Sequence, residues 1–549
     1  MKISLQAGET MTLDPDVDPY TAAGINLADQ TDAQKKLRRL IDRVHPKFKD
    51  KLPHWQFLQS TYDGGREWFK TNIHRYLKEG DKEFSDRLDR AYRFNHTREV
   101  VDLLNKYLFK QEISRNTVDA PESVTKFWKK ATRSGLSIDE FMRHASKRSS
   151  IGGRIGIVID NDAPADAAVT IADEKQSRIQ TYAYTVGPEQ LRDYSYDEHG
   201  ELSWVLIQEL KRDDSDPLES SGEVVEQFRL WTRHIWMLIQ EEKVKGKKIV
   251  RVLGAGRHGL GVVPVILMDN IITDEPYDSP SLIDDIAYLD RAVANYLSNL
   301  DAIVQDQTFS QLAMPAQSSI GEGSAKDELL ELGTKRIFLY DGEGGGAPMY
   351  LSPDVKQANL ILAVVNKIIN EIYHSVGLAG ERTKQDNAVG IDNSSGVAKA
   401  YDFERVNALL VSKADSLEMV ENRMARLVAL WNGQRVDPNA DDWVTYPDNF
   451  DTRSLYDEFD IAARLALISA PDLVRQEQMK GVIEKLFPQL SKDLRSKMES
   501  ELKRWPITPD EDPSLGGQPK AKPDEKPSPT KKSNQGAVSK DNDVMGDKK

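Results

Sequence analysis

Two periods of apolar positions run through this chain, one near 3.6 and one near 2. Across residues 32–109 the period is mainly helical: Phe84, Leu88, Ala91 and Tyr92 mark one stripe, and Val100, Val101, Leu104 and Leu108 mark another. Trp55, Phe57, Trp68, Phe69 and Tyr76 read as ordinary core aromatics for this region. A further helix carries Ile138, Phe141, Met142 and Ala145 into Gly152 and Gly153, and the run from Ile155 to Ile159 after it reads as a short buried strand. Strand signals then recur at 179–186, 202–210, 224–232, 235–240, 249–253 and 262–268. Polar turns at 197–200, 213–222 and 245–246 separate them, which predicts antiparallel sheet.

The second half is dominated by long helical patterns. Ser279 is expected to cap the first and Pro280 to open it; Leu282, Ile286, Leu289, Val293, Leu297, Leu300 and Val304 make one stripe before Pro315 stops it. That helix would run roughly 50 Å. After a Pro- and Gly-bounded insert at 315–353, Asp354 caps a second helix ending near Gly377. Its Leu360, Ile361, Val364, Val365, Ile368, Ile369 and Ile372 cover a face wide enough to predict deep burial. A glycine-rich polar loop, 377–394, leads to a third helix capped by Ser395 and ended by Gly433, with Leu409, Leu410, Leu417, Met424, Leu427, Val428 and Trp431 at helical spacing. Residues 436–450 read as a loop or short strand, and helices are expected at 455–467, 472–487 and 492–503. The first thirty residues read as a loose polar arm, and 506–549, rich in proline with lysines and acids in balance, as a disordered tail. No internal repeat is found.

Isolated helices are marginal in water, so three of this length predict partners along their faces. At 549 residues, two or more packed regions are expected. No apolar stretch is long enough for a membrane span, and the first residues lack an apolar signal core, which argues against secretion. The absence of cysteine excludes disulfides and thiolate metal sites. The net charge of −14 gives no overall basic footprint for gripping nucleic acid. It fits plain solubility, and equally a surface that nucleic acid passes without sticking.

Candidate chemistry is sparse. Gly254-Ala-Gly-Arg-His-Gly259 matches a dinucleotide pattern, but a strand, not a helix, is expected after it; the reading is a flexible turn. The run from Asp437 to Asp442 resembles the opening of a calcium loop, yet Asp442 stands where glycine is required and Asp448 where a bidentate Glu belongs, so it reads as a turn. The nine histidines form no zinc pattern, and no nucleophile elbow or phosphate-binding loop occurs. No catalytic residue, cofactor or metal is expected. Arg382 and Lys384, on the polar loop between two long helices, are suited to touching phosphate oxygens.

Several stretches, in order, resemble the portal proteins of tailed bacteriophages, the head-to-tail connectors. They are the run from Tyr76 to Asn95 followed by Val100-Val-Asp-Leu-Leu and Leu108-Phe109; the run from His144 to Asp160; Leu260-Gly-Val-Val-Pro-Val-Ile266; the long helix and Pro315; Leu332-Gly-Thr-Lys-Arg-Ile-Phe-Leu339; and Val376-Gly-Leu-Ala-Gly380. The likeness spans residues 53–505.

The resemblance implies an α+β, portal-like fold: a flexible arm (1–30), a mixed helical and β wing (31–278), a first stem helix (279–314), a clip (315–353), a second stem helix (354–376), a tunnel loop (377–394), a long wing helix with its connection (395–449), a helical crown (450–505) and the tail. It also implies a non-enzymatic homo-oligomer, a dodecamer, at one capsid vertex of the virion, assembled in the host bacterial cytoplasm. Its expected partners are double-stranded DNA in the channel, terminase, major capsid protein, scaffold, and head–tail adaptor or tail proteins, with no membrane. The tunnel loop would offer Arg382, Lys384, Gln385 and Asn387 to DNA, and Asp284, Asp285, Asp290, Asp301 and Asp306 would form an acidic channel wall. Lys335, Arg336 and Glu343 would lie on the clip, facing motor and tail. Such a wall would keep the grip on phosphate weak, since each neutralised phosphate adds affinity through counterion release. The readings set against this one are another ring-forming connector or assembly protein, and a nucleotide-dependent enzyme using Gly254 to Gly259.

Overall fold

The structure is a computed structural model describing residues 30–77, 79–161, 180–214, 216–244, 247–308, 311–315, 337–340, 347, 349–351, 355–378, 396–434, 436, 442–448, 450, 471–486 and 492–504. The chain is α+β and divides into two units, Met1–Asp451 and Thr452–Lys549.

The first unit opens with helices α1 (Gln30–Ile41), α2 (Pro46–Asp63), α3 (Arg66–Asn72), α4 (Asp81–Arg90) and α5 (His96–Leu108). Local chemistry sets their ends. The His45 ring accepts from the Lys47 amide with Pro46 in the first turn, and Asn95 accepts from the Arg98 amide to start α5. After the two-residue strand β1 (Ser114–Arg115) and α6 (Glu122–Lys129), Ser137 and Glu140 form a reciprocal capping box that starts α7 (Ile138–Gly152). Gly153, at φ 80°, ends α7 and turns the chain directly into β2 (Arg154–Asn161). A Cβ there would lie 2.1 Å from the Ser279 carbonyl oxygen, so the site demands glycine twice over.

The strands are β3 (Thr181–Val186), β4 (Leu191–Tyr196), β5 (Leu202–Arg212), β6 (Val224–Thr232), β7 (Ile235–Val244), β8 (Lys247–Arg257) and β9 (Val265–Asp269). They form two antiparallel sheets, a three-stranded one ordered β3-β2-β9 and a five-stranded meander β4 to β8. Alternation along β2 explains its burial on both faces. Ile155, Ile157 and Ile159 enter the large core with α5, α6 and α7, while Val158 joins Val186, Leu191, Val205 and Trp231 between the sheets. The far face of the meander, including Leu206, Met237 and Ile239, is covered by Ala33, Leu37 and Ile41 of α1.

Next come α8 (Ile286–Thr308), β10 (Gln311–Pro315), β11 (Ile337–Tyr340), β12 (Met349–Leu351) and α9 (Val355–Ser375). The strand leaving α8 pairs antiparallel with the strand entering α9, and β11 adds parallel to β10, so a small sheet closes a hairpin of two packed helices. Helix α10 (Gly396–Trp431) then lays Leu410, Leu417, Val420, Met424 and Val428 into the large core, beside β2 and β9. It ends at Gly433, φ 72°, and β13 (Val444–Thr445) pairs with β1. In the second unit the described helices are α11 (Asp472–Leu486) and α12 (Lys492–Leu502).

Several expectations are corrected. Ser279 does not cap the first long helix: it is buried against Gly153, and the helix proper starts at Ile286. Ser281 organises the turn before it, its Oγ donating to the Ser150 and Ile151 carbonyls and accepting from the Ile283 amide. That helix also stops at Thr308, because residues 311–315 find sheet partners instead. Only the end of the glycine-rich run turns: Gly254 to Arg257 continue β8, and the turn follows at Gly259. A bulge in the β7 register lies beside Gly254, whose missing side chain makes room for the Trp236 ring. Strand β4 escaped the sequence reading since irregularities at both ends break its alternation. The expected helix at 455–467, the arm and the tail fall outside the described residues.

Candidate functional site

The acids expected to line a channel lie on or just before α8, and their surroundings differ. Asp290 is wholly enclosed. It accepts from the Thr97 amide at 3.2 Å and the Thr97 hydroxyl at 2.8 Å, with the Arg93 guanidinium 3.6 Å away. Its place on a solvent-facing wall is therefore corrected: the carboxylate joins α8 to α5 inside the protein. Asp284 accepts from the Ser281 amide at 2.9 Å and lies 2.8 Å from His54 Nε2, so it acts as part of the helix start. Asp301 pairs with Arg90 at 3.2 Å. Asp285 is exposed, with no ion pair among the described residues. The Asp306 side chain, the loop residues Arg382, Lys384, Gln385 and Asn387, and the insert residues Lys335, Arg336 and Glu343 lie outside the described residues.

Sequence reasoning missed two features near these acids. First, α9 is not deeply buried. Val365, Ile369 and Ile372 pack into the core, but Leu360 is 66% exposed and Leu362 43% exposed. At 3.6 residues per turn Leu360 sits about 140° around the axis from Val365, on the opposite face. Tyr296 is a further exposed apolar group, on α8. The signal was the stripe itself, spread wider than one packing partner can cover.

Second, α10 carries polar groups into the core at the same spacing as its leucines. Lys413 is fully buried and donates to Ser150 Oγ at 2.8 Å and Asn270 Oδ1 at 2.5 Å; burial pushes its ammonium down to about 7. Glu421, also fully buried, accepts from Arg115 Nε at 2.6 Å and the Tyr446 hydroxyl at 2.7 Å, while Arg115 reaches Asp139 at 2.8 Å. Asn422 accepts from the Trp443 and Val444 amides, each at 3.0 Å, and fixes β13 against the helix. These groups hold the long helix in one register in the layered body.

Among the described residues no group of side chains is arranged to hold a metal ion, and no helix is long and apolar enough to cross a membrane. Of the calcium-like run only Asp442 is described, and it pairs with Arg426 at 2.8 Å. The strand geometry of Gly254 to Arg257, with no helix following, leaves no helix N-terminus to receive a pyrophosphate there.

No protein-family model matches the chain, and no curated protein matches it. Among solved structures it is similar to a chain in the virion of a native gene transfer agent particle, at 12% identity and TM-score 0.36, covering 73% of this chain and 92% of that one. It is also similar to a chain in the neck of an empty gene transfer agent particle, at 11% identity and TM-score 0.37, covering 72% and 92%. TM-scores this low establish neither a fold nor a role.

Proposed function

We propose that the chain is the subunit of a ring-shaped head-to-tail connector, a portal, at one capsid vertex of a tailed-phage-like virion, through which double-stranded DNA is packaged, retained and ejected. The observation that carries the reading is the α8–α9 hairpin. Its inner residues anchor in the body, its far end is closed by a small sheet, and Leu360 and Leu362 remain exposed on it. A single subunit leaves those leucines in water, and identical neighbours around a closed ring would cover them. The segment order of the sequence supports the same assignment, with 31–278 as wing, the hairpin helices as stem, 315–353 as the clip that docks terminase and later the tail adaptors, and 377–394 as the loop nearest DNA.

In this reading DNA slides because few cations hold its phosphates. Asp285 is the wall acid with no competing partner among the described residues, whereas Asp284 and Asp301 also serve their own neighbours. Arg382 and Lys384 make brief contacts from the loop. Negative-stain class averages of the purified chain should show rings with a central hole. Leu360→Asp with Leu362→Asp should shift mass photometry toward monomers with secondary structure unchanged. A wild-type protein that stays monomeric under every assembly condition sinks the proposal; rings that survive the double substitution move the subunit contact elsewhere.

A further inference from the structure

Between α3 and α4, the loop 73–80 is fastened to α8 at several points. Glu79 turns inward to Arg87, whose Nε and Nη2 donate to its two carboxylate oxygens at 2.8 Å each; the side chains are buried, at 8% and 3% exposure. Arg87 also donates to Ser298 Oγ on α8 and to the His74 carbonyl, both at 2.8 Å. The His74 amide donates to Asn295 Oδ1 at 2.9 Å, and the Tyr76 hydroxyl to Asn299 Oδ1 at 2.5 Å. A buried ion pair holds its surroundings to one geometry, because either charge left alone is costly. What this geometry holds out is Leu77, 100% exposed, beside Tyr76 at 42%.

Ordering a loop costs conformational entropy, and an apolar tip left in water returns none of it to a lone subunit. Fixed in advance, the same tip loses little further freedom when a partner covers it. On the ring reading, on which this contact rests, the partner is a second copy of the chain. A ring of more than two subunits repeats one heterologous junction, so each subunit needs two different faces. Leu360 and Leu362 on α9 form one. Rotation about the ring axis leaves height unchanged, so with the hairpin along the channel the other face lies level with them. Carried along the two antiparallel helices, the β10–β12 register sets Asn299 level with Ala363, within one turn of both leucines. The Leu77 loop is bonded to α8 at that height. Val118 and Leu218 are nearly as exposed, but they stand before α6 and in the β5–β6 turn, with no bond to α8 among the described residues.

We infer that Leu77 is the second face of the ring junction, its side chain seated on the Leu360 and Leu362 strip of the neighbouring subunit.

Mass photometry of the full-length chain tests it. Wild type and Leu77→Met should form rings, and Leu77→Asp should assemble at least tenfold less at the same concentration. Its circular dichroism should be unchanged, since the side chain is wholly exposed in its own subunit. Mixed one to one at high concentration, Leu77→Asp and the Leu360→Asp, Leu362→Asp double variant should form a dimer and stop, because each such pair keeps one intact junction. Rings of Leu77→Asp as abundant as wild type overturn this contact and leave the ring standing. So does a mixture that stays monomeric, or an equal loss from Leu218→Asp. A wild-type chain that never closes a ring overturns both.

Discussion

Lys413 places its amine among neutral partners, Ser150 Oγ and Asn270 Oδ1, where α10 crosses the end of α7 and the segment after β9. Because burial pushes it from its usual 10.5 to about 7, the unfolded chain holds a proton between those values that the folded chain releases. This group's contribution to stability therefore rises with pH across that window, by up to ~1.4 kcal/mol per pH unit, and it is lost as pH falls toward 7. Lys413→Met should accordingly gain on wild type most at pH 7 and below, with the gap shrinking as pH rises, in chemical denaturation at several pH values. The buried Arg115–Glu421 pair behaves oppositely on truncation. Glu421→Leu leaves the guanidinium and the Tyr446 hydroxyl without their shared acceptor, and should cost about 3–5 kcal/mol. Replacing Arg115, Glu421 and Tyr446 together by Met, Leu and Phe should restore much of that loss. The helical period showed that α10 is buried, but not that Lys413 and Glu421 go in with the leucines. A polar residue at a core-facing position declares itself only when its partner, hundreds of residues away in sequence, is in place.

Among the elements, helix and strand identities were legible because burial on one face writes a period into the chain. Strand β6, Val224–Thr232, falls at its expected bounds, and α9 and α10 begin and end within a residue or two of theirs. Boundaries failed where a residue with a strong local preference was claimed by a distant contact. Ser279 and Pro280 have the right chemistry for a helix start, yet the close approach of Gly153 draws that segment into packing and leaves Ser281 to organise the turn. Gly153→Ala should test this, since it strains a positive φ and collides with backbone. A loss of at least ~2 kcal/mol in thermal or chemical unfolding is expected. Gly254→Val, which would push the Trp236 ring away from β8, should destabilise the meander by a smaller amount, on the order of 1–3 kcal/mol. The site was less legible than the fold. The portal resemblance implied a wall of five aspartates, but Asp290 turned inward to Thr97 and Asp301 took Arg90.

For the whole molecule, the ring reading makes a salt-dependent prediction. Asp285→Lys should add a phosphate contact in each subunit and slow DNA translocation in a packaging assay, with wild-type speed returning as salt is raised. Packaging that is unchanged at low salt would count against a channel-facing Asp285. By itself the sequence determined most of the helices and strands, that the second half is built on long helices too apolar to stand alone, and that neither disulfides nor thiolate metal sites contribute. Those properties follow from local period, turn chemistry and composition. Only the tertiary structure decided which acids are free, that Gly254 to Arg257 belong to a strand, that α10 locks its register through buried ions, and that Leu360 and Leu362 stay in water. Each depends on what lies across a gap between segments far apart in the chain, and no local pattern encodes that distance.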